Sequence, residues 1–495
     1  MTFLAATRPQ MPDASPAAPA AATDAAPGLP RVYAAYLKYT VVFWLTGALI
    51  PGAAFVLFKL VAAKWPRGRA INIVIFSWLS ISLAQASCSI LNGILLGDPL
   101  LGLRNAFSFT VIGWIFGALA IAAGSAWNLA NRPVADLVAR LGGYILLLGL
   151  VAVAARLAGF TNLRTLSPLG LLLPGGNAAK FYTSIIVFQR EETLGEATTR
   201  LVLFFPWATA LGLGGIAIAL ISSRATSLGW RLTGIVGGLV GVVFSWSRLA
   251  IAAVVLVGAF LIFLRLPRFW QILAVGGGLA LLCLLPTFGI DPIALVSDVH
   301  HAADKARAGS SLARDLIYQK SWEGFLTSPI IGHGWIGESV HRIEDLPIGS
   351  HSTIYGLLYT GGIVTMGCFA LAMAATLGAL LYGLYRRRDD RDALHDGVVS
   401  LCLFLTLLVF CPYESLFSLT LPAIYLFTWI GGGIPSGPDT APAESGLRPS
   451  AGRRFSLDRR PQRHFESAPP ARTAFGGKGR RSPFTRDKQA LGTRR

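Results

Sequence analysis

Charge is what this sequence has least of. Only 14% of its 495 residues are Asp, Glu, Lys or Arg, against 53% that are hydrophobic. Soluble domains carry about 25% charged residues, so a single water-soluble fold is excluded. Cysteine is also scarce: Cys88, Cys283, Cys368, Cys402 and Cys411 all lie inside or at the end of apolar runs, with no CxxC and no Cys beside a His. That argues against both a structural zinc and a disulfide framework. The first thirty residues lack a basic stretch followed by an apolar core, so no cleaved signal peptide is expected there. Glycine and proline are plentiful, at 54 and 28, but no G-X-Y period links them.

The chain is instead rich in long uncharged runs, at 39–58, 70–97, 105–131, 141–155, 201–223, 232–247, 249–264, 269–290, 352–385, 397–413 and 415–438. A membrane span needs roughly 20 mostly apolar residues. The expected fold is therefore all-α, a polytopic transmembrane helix bundle of about 11–12 spans. The runs 232–247 and 249–264 are separated only by Arg248. A straight helix through both would be about 50 Å long against a hydrocarbon core of about 30 Å. A tight hairpin with Arg248 near its tip is the better solution. The stretch 165–189, broken by Pro168, Pro174, Gly175 and Gly176, reads as a re-entrant or twelfth segment. Gly234 with Gly238, and Gly237 with Gly241, form overlapping small-xxx-small pairs suited to close helix approach.

Despite the low charge content the net charge is +18. From Pro435 onward, fourteen Lys/Arg face five Asp/Glu in a segment rich in Pro, Ser and Gly with no apolar periodicity. Such a segment buries too little surface to offset its ordering entropy, so 435–495 reads as a disordered basic tail attracted to anionic lipid. Sparse aromatics and the lack of a recognition motif argue against specific nucleic-acid binding. Residues 1–30 read as a disordered Ala/Pro-rich segment, which leaves 31–434 as the membrane domain. Within it Lys64/Arg67/Arg69, Arg132/Arg140, Arg224/Arg231, Arg265/Arg268 and the 386–391 arginines fall in alternate loops. The positive-inside rule places these in the cytoplasm together with the C-terminus. Asp390-Arg391-Asp392 spells DxD, but within so short an Arg-rich loop it reads as a charged turn.

Residues 291–351 then form one large extracytoplasmic loop, which holds five of the seven histidines (His300, His301, His333, His341, His351), eight acids and five Lys/Arg. Within it, SLARDLIYQKSWEGFLTSPIIGHGWIG reads as an amphipathic helix ended by Ser328-Pro329 and a Gly-rich turn. Leu312, Leu316, Trp322 and Leu326 would share a face turned to bilayer or bundle, with Arg314 opposite. Ser352 and Thr353 suit the N-cap of the apolar helix that follows His351.

These blocks resemble the O-antigen ligase and polymerase family of bacterial envelope biogenesis. The resemblance rests on Ser247-Arg248 at a helix start, Arg314 ahead of Pro329 and Gly332-His333-Gly334, and Ser350-His351-Ser352-Thr353 leading to Gly361-Gly362-Ile363. Ser352 stands where the family commonly has Asn. The resemblance implies a multi-pass protein of the bacterial inner membrane that transfers a glycan from an undecaprenyl-diphosphate carrier to a lipid or saccharide hydroxyl acceptor, without metal or cofactor. Guanidinium forks match phosphate geometry and stay charged, so Arg248 and Arg314 are the candidate diphosphate-binding residues. The acceptor hydroxyl needs a base near neutral pH, and His351 is the candidate, with His333 second. Plainer roles exist for each: an interfacial anchor for Arg248, a surface partner of Asp315 or Glu323 for Arg314, a helix cap for His351. Arg200 is as readily an anchor as a phosphate ligand. Ligation of a finished polymer, polymerisation of repeat units and, in a different class, flipping of a lipid-linked sugar remain the competing functions.

Overall fold

The structure, a computed structural model, describes residues 29–109, 113–173, 177–193, 196–288, 308–339 and 347–436. Nearly all of the expected segments 1–30 and 435–495 lie outside these residues, as do His300, His301 and His341. The described chain is an all-α bundle built from α1 (Arg31–Lys38), α2 (Thr40–Thr46), α3 (Leu49–Ala63), α4 (Arg69–Leu95), α5 (Pro99–Phe109), α6 (Ile115–Ala126) and α7 (Arg132–Leu157). A compact insertion follows, with β1 (Leu163–Leu166), α8 (Pro168–Leu172), α9 (Asn177–Tyr182), β2 (Ser184–Thr193) and β3 (Glu196–Leu203). Then come α10 (Ala208–Ser222), α11 (Leu228–Phe244), α12 (Arg248–Arg265), α13 (Arg268–Leu284), α14 (Ala308–Thr327), α15 (Thr353–Arg386), α16 (Arg391–Phe410) and α17 (Ile424–Gly433). Among the described residues six helices are long and apolar enough to cross a membrane, and four shorter apolar helices accompany them.

Three segments depart from the sequence expectation. The stretch 165–189 forms neither a re-entrant helix nor a twelfth span. It contributes to a three-stranded antiparallel sheet of order β1-β2-β3, in which Phe188 pairs with Leu201 and Gln189 with Arg200. The run 201–223 accordingly begins as strand and becomes helix only at Ala208. The run 415–438 is broken by a 3-10 turn over Leu416–Leu419, and α17 has only ten residues, all buried. At 1.5 Å per residue α17 is about 15 Å long, half a bilayer core. It is a central helix, and aromatic rings fill the space around it. Trp78 lies 5.9 Å from both Trp114 and Phe427, and Trp114 lies 5.7 Å from Phe369.

The glycine pairs of α11 do pack helices closely. Gly237 faces the backbone of Gly142 on α7, and Gly238 faces that of Gly215 on α10. No side chain fits between these backbones, and van der Waals contact then replaces the hydrophobic drive that lipid does not supply. Two of the basic residues expected in alternate loops, Arg132 and Arg224, meet around the loop between α15 and α16. There Arg132 meets Asp392 at 2.7 Å and Arg224 meets Asp396 at 2.6 Å. Asp390 caps α16 by accepting from the amides of Asp392 and Ala393.

The 34-residue helix α15 would be about 51 Å long if straight, too long for the bilayer core. It is interrupted at Gly362, whose φ of 61° and ψ of −162° are open only to glycine. The 329–334 turn docks into the break. The amides of His333 and Gly334 donate to the carbonyls of Tyr359 and Thr360, and Ile363 donates back to Pro329. The Gly-x-Gly turn and the Gly-Gly pair, far apart in sequence, are thus two halves of one joint. Gly362→Ala is expected to cost about 2 kcal/mol from backbone strain alone and to lower the thermal midpoint in detergent. Gly367→Ala, on the same helix with open space at its Cβ position, is expected to be neutral or stabilising by up to ~1 kcal/mol.

Candidate functional site

The sequence-derived residues gather at the end of the bundle opposite the Asp392 network. Arg248 comes first on α12, because a three-residue turn separates that helix from α11. Trp246 takes up a left-handed φ of 51°, and Ser245 Oγ accepts from the amide of Ser247 at 3.2 Å. Ser247 then caps α12, accepting from the amide of Ala250 at 3.2 Å. The Ser-Arg pair therefore works as an N-cap followed by a cation at the first helical position. Arg248 is partly exposed there, at the tip of the expected hairpin.

Arg314 and Tyr318 lie one helical turn apart on α14. The buried face of that helix is Ala313, Ile317 and Ser321, and the apolar residues Leu312, Trp322 and Leu326 point outward. Of the two environments expected for that apolar face, the bundle is thus corrected. Ser321 satisfies its hydroxyl by accepting from the amide of Gly349 and donating to the carbonyl of Ile317. Small residues let α14 sit close to the bundle, and this turns Arg314 inward. Its partner is Glu414, with Nη2 3.6 Å from Oε1. Glu323 instead pairs with Lys320 at 2.6 Å.

Glu414 has 3% of its surface exposed, and Trp207 Nε1 donates to its Oε2 at 3.1 Å. A hydrogen bond from Thr209 and the nearby charge of Arg200 also bear on it. Burial nevertheless dominates and raises its pKa above the usual carboxylate range; Arg314 is the leading influence in the opposite direction. Arg200 on β3 is itself buried. It donates from Nε to the carbonyl of Ser245 at 2.8 Å and from Nη2 to Thr209 Oγ1 at 3.4 Å. Arg200 thereby ties the 245–248 turn to the residues around Glu414.

His351 is joined to the same group through its backbone. It holds a left-handed φ of 58°, uncommon for a residue with a side chain. Tyr318 Oη donates to its carbonyl at 3.2 Å while the Tyr318 ring stacks on Tyr355 at 4.8 Å. Burial raises the pKa of that phenol, which keeps it a donor across the physiological range. Ser352 caps α15 by accepting from the amide of Tyr355, as its sequence position implies. Thr353 does something further: its Oγ1 donates to the carbonyl of Glu414 at 2.6 Å and accepts from the amide of Leu416 at 3.0 Å. His333, the second-choice base, has its Nε2 2.9 Å from the carbonyl of Gly324 and stacks on Tyr359 at 4.6 Å. Its ring braces the joint in α15.

One connected set of contacts thus links the segments that carry Arg248, Arg314 and His351. Two helix N-termini, of α12 and α15, also end there, and both favour anions. Sequence reasoning missed Glu414, Trp207, Thr209 and Tyr318, and left Arg200 undecided. A signal for Glu414 was present: it is the sole Asp, Glu, Lys, Arg or His between positions 397 and 434. Among the described residues no group of three or more His, Cys, Asp and Glu is arranged to hold a metal ion.

The raised pKa of Glu414 fixes a sign. Between its unfolded and folded pKa values the native state binds more protons than the unfolded one, so this residue's contribution to stability falls as pH rises through that interval. Glu414→Gln removes the ionisation. Its thermal midpoint relative to wild type is expected to be higher at pH 8 than at pH 5, as differential scanning fluorimetry in detergent would register. A relative midpoint that fell with rising pH would contradict the assignment.

The sequence model of the O-antigen ligase family matches residues 233–370. That interval runs from early α11 into α15 and contains Arg248, Arg314 and His351; Arg200 and Glu414 lie outside it. No curated protein matches the chain. Over residues 233–370 the chain is thus similar to the O-antigen ligase family, and the apolar helices around that stretch accord with a multi-pass membrane protein.

Proposed function

We propose that the protein is an O-antigen ligase-like glycosyltransferase of the bacterial inner membrane, with its C-terminus in the cytoplasm and its site on the periplasmic face. It transfers a glycan from an undecaprenyl-diphosphate carrier to a hydroxyl on a lipid or saccharide acceptor. The observation that carries this reading is the meeting of the segments of Arg248, Arg314 and His351 at one end of the bundle, around Glu414.

In the reaction His351 accepts the proton of the acceptor hydroxyl as its oxygen bonds to the anomeric carbon of the donor. The bond from that carbon to the proximal phosphate oxygen breaks, and the electron pair leaves with undecaprenyl diphosphate. Charge grows on that oxygen, and Arg248 and Arg314 stabilise it with N–H donors already in place. The side chain of Arg314 is 30% exposed, so a diphosphate reaches it from the open side while Glu414 holds it from the inner side. The basic tail, 435–495, adds attraction to anionic lipid on the opposite face.

Ligation onto a lipid core is preferred to polymerisation of repeat units, which uses the same donor chemistry. A lipid-sugar flippase needs a polar passage through the bundle. The centre of the described bundle is instead filled by Trp78, Trp114, Phe369 and Phe427, which favours the transferase.

Reconstitution of the purified protein with a lipid-linked donor and two acceptors, a lipid A core and a second lipid-linked repeat, tests this reading. A single capped core identifies a ligase and a product ladder a polymerase. His351→Ala is expected to lower transfer by about 10²–10⁴-fold, the usual worth of a general base. Arg248→Lys is expected to rescue Arg248→Ala poorly, because an ammonium lacks the planar fork. Full transfer by both alanine variants would overturn the mechanism.

A further inference from the structure

A buried carboxylate is an expensive way to hold a fold together. Replacing a buried ion pair with apolar side chains of similar volume is often neutral or stabilising, so stability alone gives little reason for an acid at position 414. Its surroundings are built all the same. Trp207 Nε1 reaches one carboxylate oxygen at 3.1 Å, and Arg314 lies 3.6 Å from the other. Thr209 is shared between Glu414 and Arg200, and Arg200 holds the carbonyl of Ser245, three residues before Arg248. The backbone carbonyl of Glu414 accepts from Thr353, two residues after His351. At 3.6 Å the contact with Arg314 is an electrostatic tether and exceeds ordinary hydrogen-bond length. It orients the guanidinium while consuming little of its five-donor capacity.

We propose that Glu414 is a positioning residue for glycan transfer. It aims Arg314 at the leaving diphosphate and, through Thr209 and Arg200, sets the separation between Arg314 and the 245–248 turn. This assignment rests on the transferase reading above. It gives the acid a role that needs no contact with substrate: Glu414 lies behind the arginine, out of solvent, and acts through it. The charge argument agrees. Arg200 and Arg314 would repel each other with nothing between them, and Glu414 interacts electrostatically with both. Without the acid, Arg314 has no fixed direction before the diphosphate arrives, and ordering it then draws on binding energy at every turnover.

The test uses the full-length protein in proteoliposomes with an undecaprenyl-diphosphate-linked glycan as donor. Glu414→Gln keeps the volume and removes the charge. It is expected to lower kcat tenfold or more, with the donor KM within about threefold and the thermal midpoint unchanged or higher. Glu414→Asp restores the charge on a shorter arm and is expected to recover part of kcat. Combining Glu414→Gln with Arg314→Ala is expected to add little to the loss from Arg314→Ala alone, since both remove one interaction. Thr209→Val, which leaves both charged residues intact, is expected to give a smaller loss in kcat. Wild-type kcat in Glu414→Gln, or losses that multiply in the double variant, would overturn the positioning role. If Glu414→Gln is fully active while the Arg248, Arg314 and His351 alanine variants are inactive, positioning fails and the transferase reading stands. If all four variants are active, both fail.

Discussion

The candidate site depends on one buried carboxyl group. Glu414 lies in the short link between α16 and the 3-10 turn, in a stretch otherwise empty of charge, and is almost wholly withdrawn from solvent. An ionised carboxylate in such a place is tolerable only with several donors and at least one counter-charge around it. Trp207 at the N-cap of α10, Thr209 two residues further, Arg314 on α14 and Arg200 on β3 supply them. They come from three parts of the chain, so meeting the needs of one acid draws three other segments to the same end of the bundle. The segments bearing Arg248 and His351 arrive through the neighbours of these residues, Ser245 and Thr353.

Much of this was legible in the sequence because the membrane makes patterns coarse and strong. Long apolar runs became helices, and the single Arg248 between two of them became the first residue after a hairpin turn. Ser247 and Ser352 became caps because a hydroxyl just ahead of an apolar helix has one good use for its oxygen. The glycines of α11 met backbone because nothing larger fits there. What stayed hidden needed tertiary context. The small sheet was masked by a run at 201–223 that is as apolar as a span, although its first residues pair with β2. The apolar face of α14, opposite Arg314, was legible, but whether it meets bilayer or bundle was not. Ala313, Ile317 and Ser321 are buried since their small or slender side chains allow close approach, while Leu312 and Trp322 face outward. Partners such as Arg314 and Glu414, a hundred positions apart, cannot be matched from spacing, although the isolation of Glu414 in its run was itself a clue.

The two ends of the bundle treat charge differently. At one, Arg132 and Arg224 share Asp392, whose side chain is 63% exposed, in a network that water and salt can screen. It fixes loops to one another and marks the arginine-rich face. At the other, charges are fewer, buried and hydrogen-bonded to particular atoms. Screening is weaker there, and each group has a direction as well as a sign. Among the described residues, arginines therefore divide into an exposed network around Asp392 and a smaller group around the buried Glu414.

The joint between α14 and α15 fixes one end of α14 to the bundle through its main chain. The turn that follows α14 is stitched into the interrupted helix by four main-chain hydrogen bonds, and Ser89 and Asn92 of α4 hold the same turn from behind. At about 1 kcal/mol each, these bonds make wholesale detachment of α14 costly. Its opposite half is held by side chains: Ala313 and Ile317 buried in the bundle, Tyr318 stacked on Tyr355 and bonded to His351, and the tether from Arg314 to Glu414. The two halves of one helix are thus held by different means, main chain at its C-terminal end and side chains near Arg314.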